Sequence, residues 1–270
     1  MTAADKKILF TLLKTTSDSL AGYASPEFSG PEPEFSDDSA VSEEISAGAP
    51  PVQQFSGTAA TVPAAQTPAE NESGGLTLAS IAQKIVSCTR CGLCRRRTNA
   101  VPGMGTEHPF VLVVGEGPGA EEDMQGLPFV GPAGKLLDKM LASISLDRRT
   151  NCYIANIVKC RPPNNRTPLP EEAEACIPFL EAQIHILKPK MILAAGRTAG
   201  QNLLKTDAPL STLRGRFYDY SGIPLLVTYH PSALLRDESL KKPAWEDLKA
   251  FRAKLSETAP DYAAGFAKRS

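Results

Sequence analysis

The stretch Phe110-Val-Leu-Val-Val-Gly-Glu-Gly-Pro-Gly-Ala-Glu-Glu-Asp-Met-Gln-Gly-Leu-Pro-Phe-Val-Gly131 decides how this chain is read. Apolar, mostly β-branched residues run straight into glycines, the pattern of a buried parallel strand whose carboxyl end opens into a loop. In α/β sheets that end is where ligands bind. Glu116 stands at the strand end, Glu121, Glu122 and Asp123 follow closely, and Phe129 is an aromatic set in a Gly/Pro-rich loop. Carboxylates and an aromatic on a glycine backbone suit a small planar substrate.

Working outward, helices and strands alternate. Leu78, Ile81, Ile85 and Val86 recur at helical spacing and predict a helix over Leu76 to Cys88; Leu136, Leu137, Met140 and Leu141 predict another over Ala133 to Ile144. A second strand is expected at Cys152 to Val158. The next helix starts at Leu169-Pro170 with acids in its first turn, runs to about Leu187, and carries Pro178, which predicts a kink or break. A third strand spans Met191 to Ala195, and a short helix Thr198 to Leu204. An edge strand is expected at Arg216 to Tyr220, a further strand at Leu225 to Tyr229, and a last helix at Ala244 to Leu255. This alternation gives an α/β fold with a parallel, doubly wound sheet. Three strand ends carry polar groups, Glu116, Asn156 and His230, and parallel strands present those ends on one edge.

Before the sheet the composition changes. Residues 4–20 predict a short amphipathic helix within a segment 1–21, and residues 22–75 read as a disordered, acidic Pro/Ser/Ala-rich linker. The α/β domain is placed at 76–256, with a tail at 257–270. Residues 1–75 hold 11 acidic and 3 basic side chains, which leaves 19 and 26 of the totals of 30 and 29 for the remainder. A basic body of this kind meets a polyanion such as nucleic acid. No apolar run approaches the length of a membrane span, about 18 residues, and no secretory pattern opens the chain. The expectation is a cytoplasmic monomer without membrane contact, whose N-terminal helix is free to meet a replication or repair protein.

Gly115-Glu-Gly117-Pro-Gly-Ala120 satisfies a permissive dinucleotide fingerprint, but Pro118 and three consecutive acids crowd the place a pyrophosphate would take. The cysteines are more specific. Cys88 and Cys91 form a C-x2-C pair, Cys94 follows, and Cys160 and Cys176 stand further on; six cysteines without a secretory signal read as reduced thiols. Four thiolates suit either zinc or an iron-sulfur cluster. Cys152, inside a strand, reads as a small buried hydrophobe. His230 closes a strand and is followed by proline, on the edge shared with Glu116 and Asn156, whereas His108 and His185 have no such company. Glu121 and Asp123 read as a solvated first turn of a helix.

From about Ser87 to Phe251 the chain resembles the family 4 uracil-DNA glycosylases, the iron-sulfur branch of that superfamily. Gly115-Glu-Gly-Pro-Gly-Ala-Glu-Glu-Asp123 is similar to the first motif and Gly126-Leu-Pro-Phe-Val-Gly131 to the loop after it. Asn156-Ile-Val-Lys-Cys-Arg-Pro-Pro-Asn-Asn-Arg-Thr-Pro168 is similar to the middle block, and His230-Pro-Ser-Ala-Leu-Leu-Arg236 to the second motif. The resemblance implies a three-layer α/β/α fold around a central, mostly parallel four-stranded sheet. It implies a 4Fe-4S cluster on Cys88, Cys91, Cys160 and Cys176, and removal of uracil from uracil-containing DNA. Glu116, His230 and Asn165 would then be catalytic, and Gly117, Glu122, Phe129 and Asn156 would bind the substrate, with Glu122 near C5 of the base. Cys94 is a thiol beyond that set.

Overall fold

The computed structural model describes residues 76–264 and 266. The expected N-terminal helix and the whole of the acidic linker lie outside the described residues. The strands are β1 (Met104–Gly105), β2 (Val111–Gly115), β3 (Cys152–Asn156), β4 (Met191–Ala195), β5 (Phe217–Tyr220) and β6 (Ile223–Thr228). The helices are α1 (Leu78–Val86), α2 (Ala120–Gln125), α3 (Pro132–Ser143), α4 (Pro170–Leu187), α5 (Arg197–Leu204), α6 (Leu210–Leu213), α7 (Pro231–Arg236) and α8 (Lys241–Thr258).

The sheet runs β1-β3-β2-β4-β6-β5. Its four inner strands are mutually parallel, and β1 and β5 pair antiparallel at the two edges. The expected four-stranded sheet is thus the parallel centre of a six-stranded one. The strand β1 escaped notice because two residues, Met104 and Gly105, carry no periodicity to read.

Successive side chains of a strand point to opposite faces, and β2 shows the consequence. Leu112 and Val114 enter the cluster that buries Ile81, Ile85, Leu180, Ile184 and Leu203. Val111 and Val113 enter the other, with Leu137, Leu141, Leu248 and Phe251. Helices α1, α4 and α5 therefore cover one face and α3 and α8 the other, a three-layer α/β/α arrangement.

Local differences from the sequence reading have identifiable causes. Pro170 occupies the first turn of α4, but Pro178 does not break that helix. Phe179, Leu180, Gln183 and Ile184, all buried, hold the turns beyond it in place. The last helix starts before Ala244 and continues past Leu255 to Thr258, and the chain after it buries Ala259 and Tyr262. The Tyr262 hydroxyl donates to the Ile144 carbonyl at 3.0 Å, and the Asn151 amide donates to the Tyr262 carbonyl at 2.9 Å. No helix among the described residues is long and apolar enough to cross a membrane.

Candidate active site

The register brings the carboxyl ends of the parallel strands level. Gly115 pairs with Asn156, Val114 with Ala194, and Ala195 with Thr228. Beyond the ladder, Val158 N–H donates to the Glu116 carbonyl at 3.1 Å and Gly196 N–H to the Thr228 carbonyl at 2.8 Å. Residues distant in sequence thereby meet on one edge. A cavity of about 550 Å³ opens there, and Glu116, Gly117, Glu122, Phe129, Asn165 and His230 all line it.

Asn156 is not part of the cavity wall. Its Oδ1 lies against Phe129, for a Cβ built on Gly115 would stand 2.4 Å from that oxygen and 2.6 Å from Phe129 Cζ. Only glycine at 115 allows the two to approach. Asn156 is 1% exposed, and its Oδ1 is buried without a hydrogen-bond partner. An orphaned acceptor of this kind costs about 1–3 kcal/mol, and a ligand that brings a donor to it would relieve that cost.

Phe129 is buried, contrary to its reading as an aromatic set apart from the core, and its backbone is left-handed at φ 53°. Several groups hold it there. Arg148 donates to the Pro128 carbonyl at 2.8 Å and the Phe129 carbonyl at 3.0 Å, while Asp138 balances its charge at 2.7 Å. Gly134 lets α3 pass directly under Phe129, since a Cβ there would meet the Phe129 carbonyl oxygen at 2.0 Å. Glu122 closes the loop: Oε1 accepts from Val130 N–H at 2.9 Å and Gly131 N–H at 3.0 Å, and Oε2 from Gly119 N–H at 3.1 Å. Its carboxylate thus lines the cavity while joining two parts of the loop. Asp123 is buried, not a solvated acid of a first turn, because it accepts from Thr98 N–H at 2.9 Å; Glu121 is exposed.

His230 caps α7. Its Nδ1 accepts from Ser232 N–H at 3.2 Å and lies 2.8 Å from Ser232 Oγ. A peptide N–H can only donate, so Nδ1 carries no proton and the neutral ring holds it on Nε2. Burial, reinforced by the Arg236 charge and opposed by Glu122, lowers the His230 pKa to about 4. The Phe129 and His230 rings stand 5.5 Å apart at 33°. Asn165 is exposed and left-handed at φ 54°, and its Oδ1 accepts from Arg161 Nε at 2.7 Å. His108 and His185 are exposed and lie away from this cavity.

The thiols form a separate site. Cys88, Cys91, Cys94, Cys160 and Cys176 line one small space between α1, α4 and the chain after β3. Sulfur accepts hydrogen bonds there from Arg97 Nη1 to Cys160 at 3.1 Å, Lys159 N–H to Cys176 at 3.3 Å and Arg90 N–H to Cys88 at 3.5 Å. Burial pushes the Cys176 thiol up to about 11 against the pull of Lys159, and it raises Cys160 against the pull of Arg97. Among the described residues no group of three or more His, Cys, Asp or Glu side chains is gathered as one ion would require. Cys152 is fully buried on the far face of the sheet and takes no part.

Sequence reasoning missed the supporting residues. Thr198, on α5, donates its hydroxyl proton to Glu116 Oε2. Lys159, 1% exposed, donates from Nζ to the Asn156 carbonyl at 3.0 Å and to Gln183 Oε1 at 2.7 Å. Burial lowers its pKa to about 8. A threonine in a helix and a lysine in a loop carry no motif of their own. The position of Lys159 between Asn156 and Cys160 was the one available signal.

Comparison with known proteins agrees with this geometry. The model of the uracil DNA glycosylase superfamily matches residues 102–249. The type-4 uracil-DNA glycosylase of Archaeoglobus fulgidus is 42% identical over 64% of this chain and 90% of its own length. That of Pyrobaculum aerophilum is 43% identical over 65% and 93%, and that of Thermotoga maritima 45% identical over 62% and 89%.

Proposed function

We propose that this chain, which belongs to the uracil DNA glycosylase superfamily and groups with its type-4 members, excises uracil from DNA by hydrolysing the N-glycosidic bond of a flipped deoxyuridine, leaving an abasic site. The observation that carries the reading is the orphaned Oδ1 of Asn156 beside Phe129. Uracil offers N3–H to that oxygen and O4 to the amide N–H. Cytosine presents a lone pair at N3 and an amino group at C4, so it would leave both amide groups facing their own kind.

Extrusion of the nucleotide costs a few kcal/mol, offset by stacking and by phosphate contacts of the basic body. Phe129 stacks on the base and Gly117 admits it without a side chain in the way. Glu122 fixes the loop that carries Phe129 and borders the base near C5. As the bond breaks, negative charge grows on uracil and positive charge on the sugar. His230, neutral and with its proton on Nε2, donates to uracil O2 as that charge develops. Glu116 stabilises the sugar cation and orients the attacking water, with Asn165 assisting from the cavity rim.

The thiol site fits an iron-sulfur cluster on Cys88, Cys91, Cys160 and Cys176, with Cys94 beside it. Its donors are all sulfur, and three of those sulfurs already accept N–H bonds. When bound, the cluster supplies a structural cross-link between α1, α4 and the chain after β3.

The test is release of free base from oligonucleotides carrying one deoxyuridine, with thymine, cytosine and hypoxanthine substrates alongside. Uracil release with little from the others is expected. Release of hypoxanthine at a comparable rate would replace this reading by a broader deaminated-base activity, and no release by protein that binds DNA would reduce the chain to a binding module.

A further inference from the structure

We propose that Thr198 is a positioning residue for Glu116, holding its carboxylate in the one orientation that presents a free oxygen to the cavity. The proposal deepens the reading of Glu116 given above and rests on it. Thr198 is buried at the start of α5, and its hydroxyl donates to Glu116 Oε2. Its own carbonyl accepts from Asn202 Nδ2 at 2.8 Å, and Gly196 before it is tied to Thr228. The donor therefore stands on a fixed turn of helix. β-branching leaves the side chain few χ1 rotamers, which limits where the hydroxyl can stand.

Glu116 meets no arginine, lysine or histidine partner among the described residues, so this bond is its one side-chain anchor there. It occupies Oε2 and sets the plane of the carboxylate. Oε1 is left without a protein partner among the described residues, and Glu116 lines the cavity. Glutamate has enough free torsions to turn away from the reacting sugar when the anchor is removed, and a displacement of about 1 Å from productive geometry costs on the order of 100-fold in rate. Binding of the DNA does not use this bond. Loss of the anchor is thus a loss in the chemical step and not in affinity.

The experiment compares Thr198→Val, which keeps shape and loses the proton, with Thr198→Ser, which restores it, each alone and with Glu116→Gln. Single-turnover excision from a duplex with one deoxyuridine is read beside affinity for a duplex carrying slow-reacting 2′-fluoro deoxyuridine. Thr198→Val is expected to slow excision by about 10- to 100-fold with affinity within about twofold, Thr198→Ser to recover to within about threefold, and Thr198→Val to add little to Glu116→Gln. Where Thr198→Val lowers the folded yield, Thr198→Ala makes the same comparison. Wild-type rates in Thr198→Val, or its full loss repeated on top of Glu116→Gln, would overturn the assignment of Thr198 alone. Wild-type rates in Glu116→Gln would overturn the role of Glu116 itself.

Discussion

The cavity at the strand ends and the thiol pocket share the chain after β3 but are built by opposite means. In the cavity, the groups proposed to do chemistry are held by other parts of the protein: Glu122 by three peptide N–H groups, His230 by Ser232, Glu116 by Thr198, and the Phe129 loop by Arg148. In the thiol pocket the sulfurs receive N–H bonds, and burial outweighs the pull of Arg97 on Cys160 and of Lys159 on Cys176. The first region is preorganised by the chain, and the second is the one proposed to be completed by a bound cluster. Orientation is thus served here by hydrogen bonds, and cohesion, on that proposal, by an added group.

That contrast is broken most directly at the thiols. Cys160→Ser is expected to abolish bound iron, read by iron assay and visible absorbance, and to lower the melting temperature by several degrees. Full iron retention would mean that Cys94 completes the ligand set. On the cavity side, His230→Ala is expected to slow uracil excision by about 100- to 1000-fold with absorbance and melting unchanged. A fall in iron content with that substitution would show that the two regions are not separable.

The smallest effect sharpens the comparison through pH. The His230 pKa is about 4 in the folded chain against the ordinary 6.5. Above both values it is neutral in either state. As pH falls from 6.5 towards 4 the unfolded chain takes up a proton that the folded chain refuses, so stability declines through that window. Excision should show no inflection near 6.5 attributable to this ring, and His230→Gln should lose less stability between pH 6.5 and 4.5 than the parent, measured by denaturant midpoint.

The sequence disclosed most of the fold because the parallel strands are buried on both faces and read as apolar runs, Val111–Gly115 and Met191–Ala195 among them. The residues it singled out that line the cavity lie on motif-bearing loops at the strand ends. It did not disclose β1, which is too short for a period, nor the passage of α4 through Pro178, which depends on buried contacts beyond it. Thr198 and Arg148 were silent, and Lys159 was marked only by its place between Asn156 and Cys160. Each acts by a single hydrogen-bonding group whose partner lies elsewhere in the chain or is main chain, and neither composition nor spacing records such a pairing.

One consequence follows from the short span between Asn156 and Cys160. Lys159 ties its own loop back to the Asn156 carbonyl while its N–H reaches Cys176, so five successive residues are anchored at both sites together. That span is locked in length. Inserting or deleting one residue would turn every anchor by a register step, and a lineage that altered one site here would have to rebuild the other in the same stroke.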